Sequence, residues 1–187
     1  LLLSSQDGFF AKLLATVAHF FLLISLTTSS VCAEESLEYK IKAAYLYNFT
    51  KFISWPETTA ATFNICVVGD DPFNDLLNGL ESKSALGKPI RILRYSSLAE
   101  VKNCQIVYFD NTDRLPNIVL PNALLVGNLH NSLTVSGQPF FAESGGMIGF
   151  VLEEEKVKLH INLKALKQGG LGISAKLIEV STLVGED

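Results

Sequence analysis

The sequence predicts a single compact α/β domain over residues 34–187, with a mostly parallel or mixed central sheet flanked by helices. Three observations carry that expectation. Apolar residues between Leu37 and Ile53 recur at helical spacing. Beyond them, short β-branched and aromatic runs alternate with helical patterns in the βαβ rhythm of a parallel sheet. Near the end, two apolar runs joined by Glu153-Glu154-Glu155-Lys156 read as an antiparallel hairpin, which makes the sheet mixed.

Residues 1–33 stand apart from the fold. Lys12 precedes an apolar run over residues 13–26, followed by a polar stretch and the small-residue end Val31-Cys32-Ala33, the layout of a secretory signal peptide cut between Ala33 and Glu34. The run is shorter than the ~20 apolar residues of a membrane span, and no later segment approaches that length. A lipoprotein with Cys32 as the acylated residue is the alternative, but Ser29-Ser30-Val31 lacks the leucine expected three positions before the cysteine. Because the chain starts at Leu1 and its one methionine is Met147, the natural start is expected upstream.

Each element of the domain has its own signal. In the first helix, Leu37, Ile41, Ala44, Tyr45, Asn48, Phe49, Phe52 and Ile53 form the predicted core face, with Lys42 and Lys51 directed elsewhere. Pro56 stops this helix and leaves Trp55 at the corner; Tyr47 and Trp55 are the aromatics singled out as candidate contacts. Phe63-Asn64-Ile65-Cys66-Val67-Val68 is a strand, and Asp70 or Asp71 caps a short helix running from Pro72 through Leu80. Gly87-Lys88-Pro89 turns into the strand Ile90-Arg91-Ile92-Leu93-Arg94, and Ser96 or Ser97 caps a brief helix leading to Cys104-Gln105-Ile106-Val107-Tyr108-Phe109. Shorter strands follow over residues 123–126 and 133–135, then the hairpin over residues 147–161. Asn162 starts a helix ending at Gly169-Gly170, and residues 173–184 make a last amphipathic helix.

Charge and motif content narrow the function. Fifteen basic against nineteen acidic residues leave a net charge of −4, with no basic run of the kind that holds nucleic acid. There is no Gly-rich phosphate loop, nucleophile elbow or Cys-x-x-Cys, and no enzyme class, cofactor or metal is expected. His130 and His160 lack a third soft ligand at metal spacing. Export leaves Cys66 and Cys104 as an even pair in strand-like runs; a disulfide between neighbouring strands and two buried thiols both fit. Gly145-Gly146, preceded by Phe140-Phe141, read either as a tight turn or as a place where a ligand or partner backbone comes close, with Asn162 and Lys176 as neighbours.

Lys42-Ala43-Ala44-Tyr45-Leu46-Tyr47-Asn48-Phe49-Thr50-Lys51-Phe52 with Trp55-Pro56, Ile65-Cys66-Val67-Val68-Gly69, Gly87-Lys88-Pro89, Gly145-Gly146-Met147-Ile148, Ile161-Asn162-Leu163 and Gly172-Ile173-Ser174-Ala175-Lys176-Leu177 together resemble the YfiR family of periplasmic regulators. The resemblance implies a small α/β sandwich in the periplasm, with Cys66 and Cys104 matching a family disulfide. It also implies a repressor that binds the periplasmic part of a membrane diguanylate cyclase and lowers cyclic di-GMP and biofilm formation. A second disulfide present in some members has no counterpart here. The alternative reading is a periplasmic small-ligand sensor subunit for a histidine kinase or transporter, its pocket formed by the aromatic corner and the Gly145-Gly146 turn. A homodimer remains open under either.

Overall fold

The computed structural model describes residues 30–109 and 129–185, with side chains from residue 37 onward. Two compact units divide at Leu37 and Glu38; of the first, only residues 30–37 are described, as the opening of helix α1 (Ser30–Phe52). The expected cleavage point at Ala33 and Glu34 lies in that opening, and the rest of the signal peptide lies outside the described residues. So does the strand expected over residues 123–126.

From Glu38 onward, α1 covers one face of the sheet, but with a rotated stripe. Lys42, Ala43, Leu46, Phe49 and Thr50 are buried, as is Ile53 just past the helix end, whereas Leu37 and Ala44 are exposed. Polar residues, among them Glu38, Lys40, Lys42, Asn48 and Lys51, are scattered round the helix among apolar ones, so spacing alone did not choose the face. Leu46 and Phe49 are fully buried against the sheet, and Tyr39, Tyr45 and Tyr47 pack half-buried beside them. Lys42 is the instructive error. Its stem lies in the core, its ammonium pairs with Glu38 one turn earlier, and it sits 4.7 Å from the Tyr39 ring centroid and 5.9 Å from that of Phe150. A buried charge of this kind is costly without its partner and dispensable with an apolar substitute. Lys42→Met should therefore leave stability within about 1 kcal/mol or raise it, and Glu38→Gln should lower it by roughly 1–3 kcal/mol, Glu38 being partly solvated. Urea titration of both variants checks the asymmetry.

After α1 come β1 (Ile53–Ser54) and β2 (Phe63–Val68), the latter buried along its whole length. The helix expected after Pro72 is a 3-10 helix, η1 (Asn74–Ser82), and the Phe73 N–H donates to Asp71 Oδ1 at 2.8 Å just before it. Strands β3 (Ser84–Ala85) and β4 (Lys88–Tyr95) form a hairpin through Leu86 and Gly87, both at positive φ as a primed turn requires. A single 3-10 turn, η2 (Leu98–Glu100), leads to β5 (Ile106–Phe109). Then follow β6 (Leu133–Ser136), β7 (Ile148–Glu153) and β8 (Lys156–Asn162). The β7–β8 hairpin is antiparallel as expected, its turn residues Glu154 and Glu155 again at positive φ. Asn162 caps α2 (Leu163–Gln168) by accepting from the Ala165 N–H.

The last expected helix is instead three elements: β9 (Gly172–Ile173), α3 (Ala175–Glu179) and β10 (Thr182–Val184). Strand β9 pairs with β1, and β10 lies parallel to β8. The β-branched run Val180-Ser181-Thr182-Leu183-Val184 found an unpaired sheet edge, and ladder bonds there outweigh a helical spacing.

The main sheet has the order β10-β8-β7-β6-β5-β2-β4-β3. Strands β4, β2, β5, β6 and β7 run parallel and are joined to an antiparallel β8, so the sheet is mixed. Alternate residues of the central strands feed two cores. Phe63, Ile65 and Val67 of β2 with Ile106 and Tyr108 of β5 face α1, while Cys66, Val68, Val107 and Phe109 face the other side with Leu129 and Phe141. Burial on both faces is why these strands read as continuous apolar runs.

Candidate functional site

The aromatic corner is built where α1 gives way to β1 and Pro56 turns the chain. Trp55 is half-buried: its indole N–H donates to the Gln105 carbonyl at 3.0 Å, and its ring stands edge-on to Phe63 at 5.1 Å. These contacts hold it as a wall between two clefts at the amino ends of the central strands. One, of about 400 Å³, is rimmed by Glu57, Lys102, Asn103 and His130. The other, of about 350 Å³, is lined by buried Phe63 and exposed Leu86 beside Lys88. Gln105 lies beneath both; its side-chain oxygen accepts the Asn64 N–H at 2.7 Å, tying β2 to the entry of β5.

Tyr47 lies on another side of α1, half-buried over a groove shared with η1. Lys51 Nζ sits 4.5 Å and Lys83 Nζ 5.1 Å from its ring centroid.

Phe140 and Phe141 diverge. Phe141 is buried and packs on Phe109 at 6.0 Å, whereas Phe140 is 72 % exposed at a φ of +56°, an uncommon backbone state for an aromatic residue. The glycine pair closes this loop on itself. The Gly146 N–H donates to the Phe141 carbonyl at 2.9 Å, and a Cβ on Gly146 would lie 2.2 Å from the Phe141 ring. Gly145 has a φ of +103°. Asn162 reaches the same loop by donating from Nδ2 to the Ala142 carbonyl at 2.9 Å, while Lys176 is exposed on α3.

The structure does not join the aromatic corner to the glycine turn. Ser132, before β6, lines the first Trp55 cleft, and Phe140 to Gly146 follow the far end of β6. The single pocket expected from both is thus replaced by two places at opposite ends of a strand.

Cys66 and Cys104 are bridged, with a Cα–Cα distance of 6.0 Å, behind the sheet and away from α1. His160 has partners that its strand position did not announce: Nδ1 lies 2.7 Å from Glu143 Oε1 and Nε2 3.5 Å from Glu153 Oε1. The contributions of Gln105, Lys83 and Glu143 also escaped sequence reading, because each is brought to its neighbours from a distant segment. No group of three metal-ligating side chains occurs among the described residues, and no described helix is long and apolar enough to cross a membrane.

A family model described as YfiR/HmsC-like matches residues 39–182, well over half of the chain. Among solved structures, a conserved domain protein from Vibrio cholerae O1 biovar El Tor is similar with a TM-score of 0.52 and 13% identity. That match covers 79% of this chain and 60% of the other, so the chain spans about three fifths of its length. An ABC domain from Streptococcus pneumonia, solved in complex with L-Trp, matches at a TM-score of 0.49 and 10% identity, over 75% of this chain and 59% of the other. The Vibrio likeness supports the α/β fold. No curated protein matches the chain.

Proposed function

Because this chain belongs to the YfiR/HmsC-like family, we propose that it is a periplasmic regulator that binds the extracytoplasmic region of a membrane diguanylate cyclase and represses cyclic di-GMP synthesis. The match over residues 39–182 is the observation that carries this reading. A protein on one side of a membrane can act on a cytoplasmic enzyme only through a spanning partner, and only by binding that partner's inactive and active states unequally. Phe140, 72 % exposed beside the Gly145-Gly146 turn, supports a contact role, since an exposed aromatic ring gains apolar burial when a partner covers it.

The clefts beside Trp55 favour a second reading, a small-ligand sensor subunit for a histidine kinase or transporter. One strain separates the two. Deleting this protein in a background that expresses the cyclase should raise cellular cyclic di-GMP and surface attachment, with the phenotype restored by the intact protein. An unchanged cyclic di-GMP level there, together with a small molecule that raises the melting temperature of the purified protein, would replace the regulator by the sensor.

A further inference from the structure

The groove between α1 and η1 has a chemistry of its own. Its floor is Ala43, Ala44, Leu76 and Leu80, with Tyr47 as one wall, in a cleft of about 310 Å³. Lys40 and Lys83 stand at its rim and Lys51 leans over Tyr47. Among the described residues, none of these three lysines is paired with a carboxylate. A cationic rim around an apolar floor on a chain of net charge −4 is a local inversion of sign, and it selects a partner surface rich in carboxylates.

The dimensions select a helix. Lys40, Ala44, Tyr47 and Lys51 lie on one stripe of α1, three turns and roughly 16 Å long at ~1.5 Å per residue. Exposed Ala44 at its centre lets another backbone come close. We propose that this groove docks an acidic amphipathic helix of a partner protein, apolar side chains on the Ala43–Ala44 floor and carboxylates on Lys40, Lys51 and Lys83. A second copy of this chain is a poor occupant. Pairing the stripe with itself in parallel sets Lys40 on Lys40 and Lys51 on Lys51, and antiparallel pairing sets Lys40 on Lys51. The identity of the partner as the membrane cyclase rests on the function proposed above.

A photo-crosslinking side chain, p-benzoylphenylalanine, placed at Asn48, which lines the groove beside the Ala44 floor, in the full chain in cells tests the groove, with the crosslinked peptide sequenced by mass spectrometry. The expected product joins position 48 to an acidic amphipathic segment of the cyclase. Its formation should be slowed about ten-fold or more by combined Lys40→Glu and Lys83→Glu, with the melting temperature preserved, and left unchanged by Lys164→Glu, an exposed lysine on α2. The same product with an acidic helix of another protein upholds the groove and overturns the cyclase assignment. A cyclase that co-purifies without a crosslink at position 48 and without sensitivity to the double reversal overturns the groove and spares the function. A self-crosslink or a lipid adduct overturns the groove, and a crosslink at no site with no cyclase retained overturns both.

Discussion

Cys66→Ser is expected to cost about 4 kcal/mol of stability in the oxidised protein, because the bridge to Cys104 closes a loop with a sequence separation of 38. In the chain-entropy account, the bridge removes conformations from the unfolded chain, so the loss appears even if the folded structure is unchanged. Cys66 and Cys104 are both buried in the second core with Val68, Val107 and Phe109, and a serine hydroxyl there adds a polar group in apolar surroundings. For a domain of this size the melting temperature should fall by roughly 10 °C, with Cys104→Ser matching Cys66→Ser and the double variant adding little. Thermal unfolding with and without reductant checks it. A wild-type protein whose unfolded, unreduced form alkylates at both cysteines would remove the bridge from the account.

Phe49→Ala should be the largest single-residue loss in the helix, roughly 3–5 kcal/mol. Phe49 is fully buried where α1 meets the sheet, with Tyr45 at 6.1 Å and Phe150 of β7 at 6.1 Å between ring centroids. Phe150 continues to Tyr108 of β5 at 6.4 Å, which meets Phe73 at 4.7 Å. Removing the ring leaves a cavity between stiff neighbours that cannot close it, and it deprives Phe150 of its stacked partner. Ala44→Ser, on the exposed side of the same helix, should change stability by less than about 0.5 kcal/mol. Chemical denaturation of the pair separates the buried stripe of α1 from its docking face. Equal losses at both positions would contradict the packing described for the helix.

Much of this molecule could be read from local chemistry. The central strands are written as unbroken apolar runs because both of their faces are covered, and the β7–β8 hairpin as two runs around acidic turn residues. Asn162 announced its helix through a cap that needs only residues three positions apart. Family membership followed in the same way, from short motifs in order along the chain. What depended on partners distant in sequence could not be read. The last segment became strand, short helix and strand because β8 and β1 had edges to offer it. Lys42 went inward because Glu38 and two aromatic rings could receive its charge, a settlement among α1 and β7 that no single helical period encodes. The Trp55 clefts and the Tyr47 groove likewise exist only once Gln105, Leu86 and Lys83 are carried to α1 from strands and turns 30 or more positions away, since a concave surface requires several segments and a sequence presents them one at a time.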